Sequence, residues 1–411
     1  MKNIIVIGGG AAGLMAATIA GERGFNVTVL ERNERPARKV MITGMGRCNV
    51  TNDTDVNGLV SAVTNIKSGR FLYSSFSAFS AADTKEFFRS RGVPLKTERG
   101  NRVFPQSDKS VDIVDVLVEA AKNKGARFIT ERVTELEINE GVVIGVITES
   151  GKTYNADAVI VATGGLSYPL TGSTGDGYSL AKQAGHTVTE LSPSLVPVVV
   201  KEGWCSKLQG LSLKNISVKV QKNGSQKSIY SDFGELMFTH YGLSGPVILS
   251  ASAYIREPEK NEYKIIIDLK PALDEEKLGK RILRDFSANS NKDFINSLSE
   301  LLPKKMIPVI VNLSGIEPSL KVNQITKEQR IKLVKLLKNL TLTVEKFRPI
   351  EEAIITKGGV KLSEIDPKTM KSKLVDRLYF AGEVLDVDAF TGGFNLQIAF
   401  STGFVAGKNI E

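Results

Sequence analysis

The 411-residue sequence contains only two cysteines and two histidines. Cys48 and Cys205 lie far apart and no C-x-x-C pair is present, which argues against a disulfide framework, a dithiol redox site and a zinc site. No window reaches the apolar length of a membrane span, so we expect no membrane partner. The first apolar run begins almost at residue 1 and leaves no room for a signal peptide, which predicts a cytoplasmic protein.

The chain is too long for one compact core, so we expect two or three domains. Its formal charge of +9 is moderate. That charge permits acidic partners or substrates but does not by itself indicate nucleic acid.

The N-terminal segment has the pattern of a nucleotide-binding strand–turn–helix–strand unit. A β-branched run at residues 4–7 is followed by Gly8, Gly10 and Gly13, then by a helical run and a second strand that ends at Glu31. Gly8 permits a tight turn, Gly10 lets the backbone approach a pyrophosphate, and Gly13 lets helix and strand pack closely. The helix N-terminus favours phosphate, and Glu31 would accept hydrogen bonds from a ribose. The alternative is a glycine turn without a ligand.

Residues 32–52 form a polar, glycine-bearing loop. Long irregular connections are uncommon unless they have a function. We therefore expect Lys39, Arg47 and Asn49 near the phosphates or the edge of a flavin. A solvated loop whose charges face water is the alternative.

A second buried strand meets glycines at residues 158–165. It would end at the sheet edge that faces a ligand crevice, with Ala162, Thr163 and Gly164 at that edge. Residues 174–177, Thr-Gly-Asp-Gly, are either a loop pressed against the ligand or a simple turn before a short helix. Farther along the first half, we predict one helix over residues 74–91, a helix over 112–124 and a strand over 126–138.

The C-terminal segment returns to the same pattern. A strand at residues 378–381 leads into Gly382 and Glu383, and Gly392 and Gly393 open a helix. A domain that binds only NAD does not need its far C-terminus at the site, whereas the longer FAD does. The pairing of the two terminal segments therefore predicts FAD. The last helix would point its free N–H groups at the flavin, unless Gly393 only eases packing.

The middle of the chain changes character. Short β runs over residues 192–273 predict a small antiparallel sheet or barrel, and residues 274–340 are helical and lysine-rich. His240, beside Tyr241, is a candidate proton donor, although a lone histidine is more often structural. His186 is expected to cap a helix. The lysines are expected to be a solvated face, with a nucleic-acid surface as the sharper alternative.

These motifs together resemble the BaiN-like family of bacterial NAD(P)/FAD-dependent oxidoreductases, whose members are called aminoacetone-oxidase-like or 3-dehydro-bile-acid-reductase-like. The sequence also resembles, more distantly, the fumarate-reductase flavoproteins. The resemblance to the BaiN-like family rests on these segments: Gly8-x-Gly10-x-x-Gly13, Gly46-Arg47-Cys48-Asn49-x-Thr51-Asn52, Ala162-Thr163-Gly164-Gly165, Thr174-Gly175-Asp176-Gly177, Phe238-Thr239-His240-x-Gly242-x-Ser244-Gly245-Pro246 and Thr391-Gly392-Gly393-Phe394-Asn395.

The resemblance implies an α/β fold, with a glutathione-reductase-type Rossmann-like FAD domain interrupted by a β-barrel and a small helical insert. The expected segments are the FAD domain at 1–191 and 358–411, the barrel at 192–273 with a return strand at 341–357, and the helical insert at 274–340. It also implies Val133, through its backbone, as an adenine contact. The full expected cofactor set is Gly8, Gly10, Ala12, Gly13, Glu31, Arg32, Lys39, Arg47, Cys48, Asn49, Val133, Ala162, Thr163, Gly164, Gly382, Glu383, Gly392, Gly393, Phe394, Asn395 and Leu396.

The sequence thus predicts an FAD-dependent oxidoreductase that transfers a hydride between flavin N5 and a small or planar organic substrate. The candidate catalytic residues are His240, Tyr241 and Arg47, and no metal is expected. No second G-x-G-x-x-G unit exists, so NAD(P)H would visit transiently as donor or be replaced by another donor. No stable nucleic-acid partner is expected. The alternatives are an RNA (tRNA)-associated flavoprotein that uses the basic helical insert, and a flavin-binding regulator without turnover.

Overall fold

The computed structural model describes residues 1–225 and 227–411, which form two compact units. Unit 1 comprises Met1–Ser194 and Pro349–Glu411, and unit 2 comprises Leu195–Arg348. Each unit has its own buried apolar core. Among the described residues, no helix combines the length and the apolar character needed to cross a bilayer.

The strands are β1 (Asn3–Ile7), β2 (Asn26–Glu31), β3 (Thr51–Asn52), β4 (Leu95–Glu98), β5 (Arg102–Pro105), β6 (Arg127–Thr130), β7 (Val133–Asn139), β8 (Val142–Thr148), β9 (Thr153–Asn155), β10 (Ala158–Val161), β11 (Ser192–Ser194), β12 (Val198–Val200), β13 (Ser212–Lys222), β14 (Ser228–Phe238), β15 (Gly242–Ser244), β16 (Tyr263–Asp268), β17 (Leu340–Phe347), β18 (Ile355–Lys357) and β19 (Leu378–Phe380). The α-helices are α1 (Ala11–Glu22), α2 (Arg38–Ile42), α3 (Val56–Ser61), α4 (Ile66–Ala78), α5 (Ala81–Arg89), α6 (Ser110–Asn123), α7 (Asp176–Gln183), α8 (Pro246–Ser252), α9 (Glu275–Ala288), α10 (Phe294–Ser297), α11 (Ile307–Ser314), α12 (Lys327–Lys338) and α13 (Phe394–Lys408).

A five-stranded parallel sheet organises unit 1, in the order β19-β10-β1-β2-β6. Its strands are apolar runs because a parallel sheet is covered on both faces. α1 connects β1 to β2, and α13 packs against α1. The carboxyl ends of all these strands lie along one edge of the sheet, so the chain segments that follow β1, β2, β10 and β19 are brought together there.

Gln397 fixes α13 inside unit 1. Its fully buried side chain accepts hydrogen bonds from Thr51 Oγ1 at 2.6 Å and Thr84 Oγ1 at 2.8 Å. Its amide nitrogen donates to the Phe79 carbonyl at 3.0 Å and to Ser401 Oγ at 2.9 Å. A buried amide with every group paired is stabilising, whereas loss of the partners would be costly. This side chain therefore ties the last helix to β3 and to the α4–α5 region.

Two element predictions in unit 1 were wrong. Residues 74–91 are not one helix, because Ser80 and Asp83 form a capping box that starts α5 after α4 has ended. Residues 126–138 are not one strand: β6 completes the parallel sheet, while β7 begins the antiparallel sheet β7-β8-β9.

Unit 2 is a closed six-stranded barrel in the order β12-β15-β14-β13-β16-β17, with α9–α12 between β16 and β17. Its return strand is β17. Residues 192–194 and 349–357 of the predicted barrel insert belong instead to unit 1, where β18 pairs with β11. The two-stranded pairing Ser192↔Lys357 is far apart in sequence, so no local pattern announces it.

The charge of the chain is concentrated in unit 2. That unit holds 25 Lys and Arg residues and 16 Asp and Glu residues, a net charge of +9. Unit 1 holds 29 of each and is formally neutral. The whole excess of positive charge is therefore carried by the barrel and its helices.

Candidate cofactor site

A cavity lies in unit 1 at the carboxyl edge of the parallel sheet, with an empty volume of about 1240 Å³ that includes the space open to solvent. Most of the predicted cofactor residues line it. These are Gly8, Gly10, Ala12, Glu31, Arg32, Lys39, Val133, Ala162, Thr163, Gly164, Gly382, Glu383, Asn395 and Leu396. Residues separated by almost four hundred positions in sequence are thus brought to one site.

The glycine loop has the geometry of a phosphate cradle. Gly8 has φ +98°, a conformation that disfavours any side chain, and a Cβ on Gly13 would lie 1.9 Å from the Gly8 carbonyl oxygen. Gly10 precedes α1, and a Cβ placed on it would meet no atom within 4 Å. Gly13 is therefore required by packing, whereas Gly10 keeps open the space where the helix N–H groups face the cavity. A diphosphate fits that arrangement.

Glu31 is held at the end of β2 with part of its carboxylate available. Oε2 accepts from the Gly9 N–H at 2.7 Å, and Oε1 accepts from the Asn33 N–H at 2.9 Å and from Asn33 Nδ2 at 2.8 Å. A carboxylate has about four acceptor positions, so one remains for a hydroxyl. The side chain is thus fixed where a ribose contact needs it.

Lys39 and Glu383 form an ion pair on the cavity wall. Lys39 Nζ lies 2.7 Å from Glu383 Oε2 and 2.7 Å from Ser167 Oγ. Glu383 Oε1 accepts from Ser167 Oγ at 3.0 Å and from the Thr356 N–H at 2.9 Å. The pair leaves the cavity wall neutral while placing polar groups beside a bound ligand.

Thr163 places a buried hydroxyl group on the cavity wall. Its Oγ1 is buried and makes no hydrogen bond within the residues that the structure describes. A Cβ on Gly177 would lie 2.1 Å from that oxygen, so the two segments pack tightly. An unsatisfied buried hydroxyl on a cavity wall fits a polar cofactor, because leaving it unpaired costs free energy.

The N-terminus of α13 reaches the cavity through Asn395 and Leu396. Asn395 is fixed because its side-chain amide accepts from the Ala389 N–H at 2.9 Å and donates to the Ala389 carbonyl at 2.8 Å. Gly393 has φ +96°, and a Cβ on it would lie 2.4 Å from the Thr51 carbonyl group. Close packing against Thr51 therefore requires glycine at this position, and the role of the α13 N-terminus toward a flavin stays a prediction.

Several predicted cofactor residues do not line this cavity: Gly13, Arg47, Cys48, Asn49, Gly392, Gly393 and Phe394. The Arg47 guanidinium is instead held by Glu98 at 2.5 Å and Asp108 at 2.7 Å, and it lies over the Phe104 ring at 4.1 Å. Hydrogen bonds from Arg47 lower the pKa of Glu98, and those from Lys96 and then Arg47 lower the pKa of Asp108. Arg47 thus anchors its loop, and its catalytic role stays a prediction.

Cys48 and Asn49 are enclosed beside Arg47. Burial raises the pKa of the Cys48 thiol to about 12, so it is not a thiolate at neutral pH. Asn49 Oδ1 is buried and has no hydrogen-bond partner among the described residues. These residues shape the loop that follows α2.

The two histidines lie in different units. His240, in unit 2, is exposed and packs edge-on against Tyr241 at 4.8 Å between ring centroids. Arg348 lies 4.6 Å from the Tyr241 ring centroid. Catalytic roles for His240 and Tyr241 stay predictions.

His186, in unit 1, caps α7 through its backbone, as expected, because its N–H donates to the Ala181 carbonyl at 2.9 Å just past the end of the helix. Its buried ring lies 2.7 Å from Ser372 Oγ and 3.2 Å from Glu364 Oε2. Because Ser372 Oγ already accepts from the Leu374 and Val375 amides, its proton is directed to the histidine. Burial lowers the pKa of His186, which is therefore neutral near pH 7.

Sequence reasoning missed several cavity residues. Arg132 and Asp176 line the cavity and are joined by an ion pair, and Ile354 and Ile355 also contribute. A signal exists for Asp176, because it lies in the Thr-Gly-Asp-Gly segment, whose sequence is compatible with either a ligand loop or a turn. Nothing local marks Arg132, whose partner is 44 residues away.

Comparison with known proteins gives a consistent result. The family model described as HI0933-like protein Rossmann domain matches residues 2–409. The 3-dehydro-bile acid delta(4,6)-reductase of Clostridium scindens is 32% identical, with 99% of this chain and 98% of that protein covered. The ribosomal RNA dihydrouridine synthase of Escherichia coli is 29% identical over 99% of this chain and 98% of that protein.

Among solved structures, the 3-ketosteroid delta1-dehydrogenase of Sterolibacterium denitrificans matches with a TM-score of 0.55 and 13% identity. The alignment covers 100% of this chain and 99% of that one. At this identity the likeness concerns the fold alone. It agrees with the predicted α/β architecture with an inserted barrel.

Proposed function

The chain belongs to the HI0933-like family and is an FAD-dependent oxidoreductase, and on that premise we propose that it reduces a carbon–carbon double bond conjugated to a carbonyl group in a planar ring, with NAD(P)H as donor. The observation that carries the proposal is the full-length match, at 32% identity, to a reductase of unsaturated bile acids. A second full-length relative is named for the formation of dihydrouridine. Both names describe addition of hydrogen across a ring double bond that lies in conjugation with a carbonyl.

In this proposal the residues of unit 1 hold and orient FAD, which supplies hydride exchange at its N5 atom when bound. The N–H groups at the start of α1 hold the diphosphate, and Glu31 holds the adenosine ribose. Thr163 Oγ1 gains the hydrogen-bond partner that it lacks within the described chain. The first-turn N–H groups of α13 favour negative charge on the group that they face.

The electron donor is proposed to bind transiently. The sequence has no second G-x-G-x-x-G unit, so no dedicated dinucleotide domain is available for a nicotinamide. A donor that leaves after it has reduced the flavin would free the site for the substrate. We keep His240 and Tyr241 as candidates for the proton that completes the reduction.

The experiment is an anaerobic two-step reaction with the purified, FAD-loaded protein. NADH or NADPH is added until the visible flavin absorbance is lost, and a steroid dienone or uridine is then added. We expect one of these unsaturated compounds to restore the absorbance, while its saturated counterpart does not. Reoxidation by oxygen alone, or equal reoxidation by saturated and unsaturated compounds, would contradict the proposal.

Tyr241→Phe tests the proton donor within the same assay. The substitution keeps the ring on which Arg348 lies and removes only the hydroxyl. If that hydroxyl donates the proton, substrate-dependent reoxidation slows by roughly 10²-fold or more, while reduction by NAD(P)H is unchanged. Equal rates in the two proteins would leave His240 as the remaining candidate.

A second candidate function is the same reduction on a uridine within RNA. The charge distribution favours it, because unit 2 carries the entire net charge of +9. A protein that neutralises phosphates binds RNA with an affinity that falls steeply as salt is raised. Binding of a ribosomal RNA fragment over a salt series tests this candidate. A flat salt dependence, or no binding at physiological salt, would remove it.

The lysines of α12 differ in exposure, and only the exposed ones are suitable for that test. Lys332 and Lys335 are exposed on α12. Lys338 Nζ lies 2.6 Å from Asp268 and donates to the carbonyls of Lys270 and Leu273 at 3.1 and 2.5 Å, so it holds the insert together. The double variant Lys332→Gln and Lys335→Gln should weaken RNA binding without changing stability. Lys338→Gln is the control that lowers stability.

A further inference from the structure

Three segments of unit 1 meet at the cofactor cavity through charged side chains. Asp176, the first residue of α7, lies between Arg32 and Arg132, and all three line the cavity. Arg132 donates to both carboxylate oxygens, from Nη2 at 2.9 Å and from Nε at 3.1 Å. Arg32 Nη1 lies 3.3 Å from Asp176 Oδ2 and also donates to Thr174 Oγ1. The carboxylate thus joins the end of β2, the start of β7 and the start of α7.

The two arginines mark one end of the site. Arg32 directly follows Glu31, the proposed ribose contact, and Arg132 directly precedes Val133, the proposed adenine contact. Both guanidinium groups contact the same carboxylate, and without its negative charge the two positive charges would repel each other. Arg132 binds the Asp176 carboxylate in a bidentate manner, through Nε and Nη2, which fixes the orientation of the guanidinium.

Asp176 is enclosed and nevertheless remains charged. Its side chain is 16% exposed, against 32% for Arg32 and 37% for Arg132. Burial opposes its ionisation, but the hydrogen bonds and charge of Arg132, together with Thr174 and Arg32, outweigh burial and lower the pKa of Asp176. The carboxylate is therefore ionised at neutral pH and continues to hold both arginines.

We propose that Asp176 is a positioning residue for the adenosine half of FAD. By holding Arg32 and Arg132 in place at that end of the cavity, it slows release of the cofactor and favours FAD over flavins that lack adenosine. The inference rests on the proposed FAD site.

Arg132 offers a matched control. Its Nη1 donates to Glu149 Oε1 at 3.0 Å, and Glu149 is 63% exposed and does not line the cavity. Asp176→Asn and Glu149→Gln each remove one negative charge beside the same guanidinium. Only the first change releases Arg32 and loosens the cavity end.

The experiment measures loss of protein-bound flavin after dilution, together with displacement of FAD by ADP from each protein. We expect Asp176→Asn to release FAD about tenfold faster, which corresponds to about 1.4 kcal/mol. Glu149→Gln should stay within about twofold. The Asp176→Asn protein should also bind ADP more weakly but bind FMN as the original protein does. Asp176→Glu, which keeps the charge, should recover part of the FAD retention.

Other outcomes separate the possible failures. If the original protein binds neither FAD nor ADP, the cofactor site itself is wrong. If it binds both and Asp176→Asn behaves like Glu149→Gln, or binds FAD more tightly, the proposal for Asp176 is overturned. Melting of the flavin-free proteins distinguishes a structural role, which would lower the melting temperature without changing ADP binding. Should Asp176→Asn not fold, Arg32→Gln leaves the first turn of α7 intact and must release FAD faster.

Discussion

Replacement of Glu31 by Gln probes the most local part of the cofactor site. The carboxylate accepts three hydrogen bonds, from the Gly9 N–H and from the two donor groups of Asn33, which leaves one acceptor position for a ribose hydroxyl. A hydrogen bond to a charged group contributes about 1.5–3 kcal/mol. We therefore expect Glu31→Gln to weaken FAD binding by roughly 10- to 150-fold, because an amide supplies a weaker acceptor and a misplaced donor.

The assay is calorimetric titration of flavin-free protein with FAD and, separately, with FMN. FMN has no adenosine ribose, so its affinity should be the same in the Glu31→Gln variant and in the original protein. Glu31→Arg should be more damaging than Glu31→Gln, because it also leaves the Gly9 and Asn33 donors without an acceptor. Equal losses of FAD and FMN affinity would show that Glu31 only maintains the loop, and unchanged FAD affinity would refute the reasoning.

Three further predictions concern the fold around the site. Gly10→Ala should fold normally, because its Cβ would meet no atom within 4 Å, but it should bind FAD more weakly in a flavin titration. Gly13→Ala should instead lower the calorimetric melting temperature, because its Cβ would lie 1.9 Å from the Gly8 carbonyl oxygen. Gln397→Met should reduce the free energy of unfolding by roughly 2–4 kcal/mol in denaturant titration, since its buried partners lose their hydrogen bonds, and a change below about 0.5 kcal/mol would contradict this. Because the pKa of His186 is lower in the folded than in the unfolded chain, the unfolded chain takes up a proton at a higher pH, and the free energy of unfolding falls as the pH drops below about 6.5. The His186→Gln variant should therefore lose less stability between neutral pH and pH 5.

The sequence was most informative where function depends on local backbone geometry. Gly8, Gly10 and Glu31 were predicted as a nucleotide motif, and all three line the cavity, because a strand, a turn and a helix N-terminus are built from adjacent residues. The start of α5 at Ser80 could have been read in the same way, since Ser80 and Asp83 have the spacing of a capping box.

The sequence was least informative where a side chain finds its partner in a distant segment. Arg47 has the charge expected of a phosphate or flavin contact, but Glu98 and Asp108, 51 and 61 residues away, occupy its guanidinium. Lys338 belonged by pattern to a solvated helix face, yet it is half-buried against Asp268. Such pairings follow from the tertiary fold, and a pattern of charges alone does not specify them.

The proposed chemistry depends on the cavity in unit 1 holding FAD. The most direct measurement is identification, by mass spectrometry, of the flavin released when the purified protein is denatured, with flavin-free protein reconstituted in an equimolar mixture of FAD and FMN as a parallel sample. We expect FAD in both samples, in a one-to-one ratio to protein. Recovery of FMN, or failure of the flavin-free protein to take up FAD, would contradict it.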